Sequence, residues 1–239
     1  MLAISDGAGS ARHAREAAAA VTGAVTALFE QLAPRDFGML SRERQVQALL
    51  NVCAACTAPL AQNSPADACA TLLFFACDGE AAVYGHLGDG YLLALDDRGR
   101  VLWESLPDNT GDDPGRTVFT VSPDAPARLR ICTAWGGDRP ARVLLMSDGP
   151  CAMFRSRGGT LAATAAELLG YAAGGQLTSN EDLAAVLDQM TLLPSERSDD
   201  WSVAIWCRDG TDDGLPAAQE CSMLAREMEK YAMNTEEKR

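Results

Sequence analysis

The chain has 239 residues, with 33 Asp and Glu against 20 Lys and Arg, for a formal net charge of −13. Hydrophobic residues make up 47% and charged residues 22%, a globular composition that excludes a disordered chain. The acidic balance argues against a nucleic-acid binder, which needs clustered Lys and Arg to neutralise phosphates.

The chain opens on an apolar stretch, residues 1–5, that reads as a short strand. An alanine-rich helix is expected over residues 10–33, stopped near Pro34. Ser41 reads as the N-cap of a second helix reaching about Gln62, with Val46, Leu49, Leu50 and Cys53 at helical spacing. Cys53 and Cys56 form a single CxxC inside that helix. A lone pair on a helix reads as small hydrophobes rather than as a zinc or redox site, which would need a second pair or a different context.

The period then changes to strand and turn. Strands are expected over residues 69–77, 81–87, 91–95 and 101–105, with short Asp- and Gly-bearing turns between them as antiparallel hairpins require. Pro107–Arg116 reads as a polar loop, and residues 117–121 and 128–132 as further strands. Arg142–Ser147 is an almost continuous apolar run, the pattern of a strand buried on both faces. Helices are expected near 160–173 and 180–192, and Trp201–Cys207 alternates as a last strand. The hairpin-rich interleaving gives an α+β class with antiparallel sheets.

The domain is expected to span residues 1–208, with a linker at 209–215 and an amphipathic helix and polar tail at 216–239. On that tail Ala217, Cys221, Leu224, Met228 and Tyr231 share one face, which fits docking on the parent domain better than dimerisation. The longest apolar run is far short of the roughly 20 residues of a spanning helix, and the first residues, lacking a basic region and an extended apolar one, are not expected to be a signal peptide. A cytoplasmic protein is the expectation, with neither membrane nor nucleic acid as partner.

One small pattern recurs. Leu2–Gly7 and Leu144–Gly149 are each an apolar strand ending in Ser-Asp-Gly, and Asp89 ends another strand between two glycines. Six Asp-Gly pairs occur in all, and Asp78-Gly79 is explained by a hairpin alone. Asp6 and Asp148 differ, because no strand returns immediately after them. Pattern alone leaves a turn and a metal or catalytic role both open. The chemistry such a set would serve is hard-cation binding, since Mg²⁺ and Mn²⁺ take oxygen ligands in octahedral geometry. Only two histidines are present, and no GxSxG, P-loop or GxGxxG motif occurs.

The order of motifs resembles that of the metal-dependent protein phosphatases, the PPM or type 2C Ser/Thr family. Ile4-Ser-Asp-Gly-Ala-Gly-Ser10 is similar to its DGxGG motif, and Ala70-Thr-Leu-Leu73 to its G-T-T-L strand. His86-Leu-Gly-Asp-Gly-Tyr91 is similar to V-G-D-S-R, Leu144–Gly149 to L-x-S-D-G, and Asp199-Asp-Trp-Ser-Val203 to D-N-x-T/S-V. The ordered set covers residues 2–207. It implies an αββα four-layer sandwich of two antiparallel sheets flanked by helices, with a binuclear Mn²⁺ or Mg²⁺ centre in a cleft at one sheet end.

Carried over, Asp6 would bridge two ions and the Gly7 carbonyl would bind one of them. Asp148 and Asp199 would ligate the other ion, and Asp89 a third, weaker one shared with Asp148. Asp6, Asp148 and Asp199 are thus the implied catalytic residues. A metal-activated water would attack the phosphorus of phosphoserine or phosphothreonine in a protein substrate, opposing a cognate Ser/Thr kinase in a bacterial cytosol. His86 reads as a packed core histidine rather than as a proton donor.

The sequence also departs from the family. Family members carry one or two strands before the DGxGG strand, with an acidic element that orders metal-bound water and often an Arg that grips phosphate. Here Asp6 stands five residues from the start, so a poorer second metal site, a missing phosphate cation and an unpaired sheet edge are expected. Either translation starts upstream or the chain is a short, impaired variant. Gly90 replaces the more usual Ser. The alternative readings are a phosphatase-like domain that binds a kinase or phosphoprotein without catalysis, and an unrelated α+β domain.

Overall fold

The computed structural model describes residues 1–108, 117–151, 161–190 and 201–208, whose strands sort into two four-stranded antiparallel sheets. The first sheet takes the order β1 (Leu2–Ile4), β2 (Leu72–Cys77), β3 (Ala81–Leu87), β6 (Arg130–Trp135). The second takes the order β5 (Val101–Ser105), β4 (Tyr91–Leu95), β7 (Arg142–Met146), β8 (Val203–Cys207). Helices α1 (Ala14–Gln31), α2 (Pro34–Gly38) and α3 (Arg42–Thr57) pack on the first sheet, whereas α5 (Leu161–Ala173) and α6 (Asn180–Met190) pack on the second. A short α4 (Ala125–Arg128) precedes β6. The layers are α, β, β, α.

The apolar runs follow directly from this stacking. Successive side chains on a strand point to opposite faces. On β2, Leu72 and Phe74 meet the helices while Leu73 and Phe75 enter the core between the sheets. On β7, Val143 and Leu145 point between the sheets while Leu144 and Met146 face α5 and α6. Both faces are buried, so polar alternation is absent and the run reads as continuous. Between the sheets Phe75 stacks on Tyr84 and Trp206, with ring centroids 5.5 and 4.9 Å away. Gly85 is required opposite Phe74, because a Cβ there would stand 1.9 Å from the ring.

Local signals account for most boundaries. Ser41 caps α3 by accepting from the Arg44 amide at 3.4 Å. Asp78 closes the β2–β3 hairpin, its carboxylate accepting from the amides of Glu80 and Ala81 at 2.7 and 2.8 Å. Cys53 is buried and Cys56 exposed on α3. Burial pushes the Cys53 thiol up to about 12, which leaves it an inert core group.

Several expectations change: the strand expected over 69–77 begins at Leu72, the helix expected to reach about Gln62 ends at Thr57, and three differences have a clear local cause. Pro34 does not merely stop α1 but opens α2, since Pro at the first helical position loses no hydrogen bond there. Residues 117–121 form no strand; Val118 and Thr120 alternate inward, yet the segment is tied by the Thr120 amide to the Ala70 carbonyl and by Ser122 Oγ to the Phe119 amide. The strand expected from 128 begins at Arg130, because α4 occupies the residues before it. Within its sheet β1 pairs only with β2 among the described residues, as an edge strand. The expected linker 209–215 and helix 216–239 lie outside the described residues. Among the described residues no helix is long and apolar enough to cross a membrane.

Candidate metal centre at one end of the sandwich

Antiparallel pairing decides which strand ends meet. β1 and β3 both run antiparallel to β2, so their C-terminal ends share one edge of the first sheet. In the second sheet Tyr91, at the start of β4, and Val203, at the start of β8, both pair with Met146 at the end of β7. Asp6 follows β1, Asp89 lies where the chain passes from β3 to β4, and Asp148 follows β7. Three acids distant in sequence therefore line one cleft of about 880 Å³, together with Gly7, Thr71 and Ser202.

Each acid is held by its own local contacts. The Asp6 amide donates to Thr71 Oγ1 at 2.9 Å, and the Thr71 amide donates to the Asp6 carbonyl at 2.8 Å. Gly88 has φ +113°, and a Cβ there would meet Thr71 Cγ2 at 2.6 Å, so only glycine fits this turn before Asp89. The Thr117 hydroxyl donates to the Asp89 carboxylate. The Gly149 amide donates to Asp148 Oδ1 at 2.9 Å. The Ser147 amide donates to the Ser202 carbonyl at 2.9 Å and Ser147 Oγ accepts from the Ser202 amide at 3.0 Å, fastening β8 beside Asp148.

Gly7 is enclosed from the other side. A Cβ on it would stand 2.1 Å from the Ala14 carbonyl oxygen, so the loop after β1 lies directly on the first turn of α1. Gly90 has no room either, because its Cβ would approach the Met146 carbonyl oxygen at 2.6 Å. No residue larger than glycine fits there without a shift.

The donor set is uniformly hard. Carboxylates, backbone carbonyls and hydroxyls line the cleft, with no Cys or His among the described residues of its lining. That chemistry fits Mg²⁺ or Mn²⁺ and not zinc. Among the described residues no three acids, cysteines or histidines stand close enough to hold one ion between them. A spaced set suits ions that keep several waters in their shell. Asp199 lies outside the described residues, two positions before Trp201.

His86 is fully buried away from the cleft, with Nδ1 2.8 Å from Ser105 Oγ and 3.0 Å from Arg130 Nη2. Burial, reinforced by Arg130, lowers its pKa to about 3. The unfolded chain thus binds a proton near pH 6.5 that the folded chain refuses until about pH 3. The stability tied to neutral His86 is complete above 6.5 and is lost on acidification toward 3. Wild type is expected to lose about 2 kcal/mol more than His86→Gln between pH 7 and pH 5, measured by denaturant unfolding.

Comparison with known proteins resolves the family. The family model described as protein phosphatase 2C matches residues 1–188. The chain belongs to the protein phosphatase 2C family. Its fold agrees with that of solved family structures. A bacterial serine phosphatase aligns at a TM-score of 0.55 and 16% identity, over 85% of this chain and 83% of that one. Serine/threonine phosphatase Stp1 from Staphylococcus aureus aligns at 0.55 and 15%, over 87% and 84%. The catalytic domain of the serine/threonine protein phosphatase PstP, solved in complex with two manganese ions, aligns at 0.52 and 18%, over 85% of each chain. Among curated proteins none matches.

Sequence reasoning missed three residues of this phosphatase 2C-family cleft: Arg15, Thr117 and Phe119. Arg15 sits in an alanine-rich amphipathic stretch with no motif around it, and Thr117 carried only a false strand signal.

Proposed function

We propose that this chain is a divalent-metal-dependent protein phosphatase that hydrolyses phosphoserine or phosphothreonine. The observation that carries the reading is the convergence of Asp6, Asp89 and Asp148, from three separate strand ends, on one cleft lined by oxygen donors. Family membership supports it independently. Three carboxylates sharing a cleft repel one another, and a fold gains nothing from that repulsion unless cations are there to offset it.

In this reading Asp6, Asp148 and the Gly7 carbonyl hold Mn²⁺ or Mg²⁺, Asp199 completes the set, and Asp89 serves a third, weaker ion. Bound ions supply a water of lowered pKa and charge neutralisation for the phosphoryl group. The chain's own part is positioning. Thr71 fixes the backbone of Asp6, and the Gly149 amide holds Asp148 Oδ1. Thr117 restrains Asp89. The products are inorganic phosphate and the free Ser or Thr hydroxyl. A cytosolic phosphoprotein, the target of a Ser/Thr kinase, is the substrate class proposed.

The test is release of phosphate from a phosphothreonine peptide by the full chain. Turnover is expected with Mn²⁺, to vanish with EDTA, and to return when Mn²⁺ is restored in excess. Turnover that persists in EDTA would sink the metal-dependent reading. Mn²⁺ binding without any turnover would favour a metal-stabilised binding module instead.

A further inference from the structure

The cleft lining contains three carboxylates and, among the described residues, one cation, Arg15. Arg15 stands in the first turn of α1 and is exposed. Its placement relative to the acids is set by backbone contacts. Gly7 lies against the carbonyl of Ala14, the residue immediately before Arg15, and the His13 amide donates to the Asp67 carbonyl at 2.9 Å. The root of the Arg15 side chain is therefore fixed beside Asp6.

Its guanidinium has no ion-pair or hydrogen-bond partner among the described residues. Arg35 is engaged by Glu80, Arg100 by Asp96 and Arg128 by Asp108. An arginine left uncommitted at the rim of an acidic cleft is positioned for an anion that enters later. A phosphate dianion is repelled by Asp6, Asp89 and Asp148, and bound cations offset that repulsion only in part. The planar fork of arginine matches two phosphate oxygens at once, which an ammonium cannot do.

We infer that Arg15 binds the phosphate of the substrate, two of its N–H groups donating to non-bridging oxygens of phosphoserine or phosphothreonine and afterwards to the inorganic phosphate product. This rests on the phosphatase reading and draws the phosphate-binding cation from the first turn of α1. Arg15 is then a substrate-contacting residue.

The experiment uses the full chain with Mn²⁺ and reads two quantities: the Kd of inorganic phosphate by calorimetry, and KM with kcat for a phosphothreonine peptide. The variants are Arg15→Ala, Arg15→Lys and, as a charge-matched control, Arg12→Ala, since Arg12 is exposed and outside the cleft lining. Arg15→Ala is expected to raise the phosphate Kd and the peptide KM about ten- to a hundredfold, the effect of one lost charge-assisted contact. Arg15→Lys should recover part of that loss, Arg12→Ala should match wild type, and Mn²⁺ affinity should stay unchanged in all three.

Phosphate affinity in Arg15→Ala equal to that of an active wild type would overturn the inference. So would equal losses in Arg12→Ala and Arg15→Ala, which would show diffuse charge instead of a contact. A wild type that neither hydrolyses the peptide nor binds phosphate with Mn²⁺ defeats the phosphatase reading itself, and this inference with it.

Discussion

Asp148→Asn is expected to lower Mn²⁺-dependent phosphopeptide hydrolysis by at least about a thousandfold, because charge stabilisation by bound metal is worth several kcal/mol in the transition state. The substitution is nearly isosteric. Its amide oxygen can still accept from the Gly149 N–H that now donates to Asp148 Oδ1. Removing one of three like charges in the cleft also relieves repulsion in the metal-free chain. The metal-free variant should accordingly be as stable as wild type or slightly more so by thermal unfolding. Opposite movements of activity and stability are the signature of a group kept for chemistry. A variant that loses both together would assign Asp148 a structural role.

Gly7→Ala should cost about 3 kcal/mol of stability and most of the activity. The added Cβ would stand 2.1 Å from the Ala14 carbonyl oxygen, 2.4 Å from its carbonyl carbon and 2.8 Å from its Cα. All three are backbone atoms at the start of an 18-residue helix, so no side chain can swing aside. Either β1 or the first turn of α1 must shift, and overpacking of this kind costs about 1–3 kcal/mol, more where backbone is involved. The shift separates Asp6 from Arg15, since the Gly7–Ala14 contact joins the two. Denaturant unfolding and peptide turnover measured side by side check it. Gly9→Ala is the control, because a Cβ there meets nothing within 4 Å.

Much of this architecture was legible in the sequence, and the reasons are local. The strands 81–87, 91–95 and 101–105 match the expected bounds because each is delimited by turn residues with their own hydrogen bonds, as at Asp78 and Asp96. Double-sided burial was readable at Val143–Met146 from the unbroken apolar run. The segment 117–121 misled because Val118 and Thr120 are buried in alternation with no ladder to accompany it. Periodicity reports burial, and a loop pressed on a sheet can mimic a strand.

The candidate site was legible to a different degree. Asp6 and Asp148 stood out as strand-end acids followed by glycine, a pattern that left a turn and a metal role both open, and Asp89 took a metal role only from its likeness to a family motif. Their convergence is a property of strand direction and sheet order, which no local pattern encodes. Arg15 was illegible for the same reason. Its relevance comes from the Gly7–Ala14 contact, a packing fact between two segments that look unremarkable side by side. The expectation of a missing phosphate cation rested on what family members carry before the DGxGG strand, and the cleft lining offers a candidate from another element.

The measurement closest to the central claim is a Mn²⁺ titration of the full chain in which ion binding and phosphothreonine-peptide turnover are followed in the same samples. The account predicts that turnover rises from zero with occupancy and saturates with it, and that Asp148→Asn shifts the binding curve and removes the turnover. Turnover independent of occupancy, or full occupancy with none, would contradict a metal-dependent phosphatase built on these strand ends.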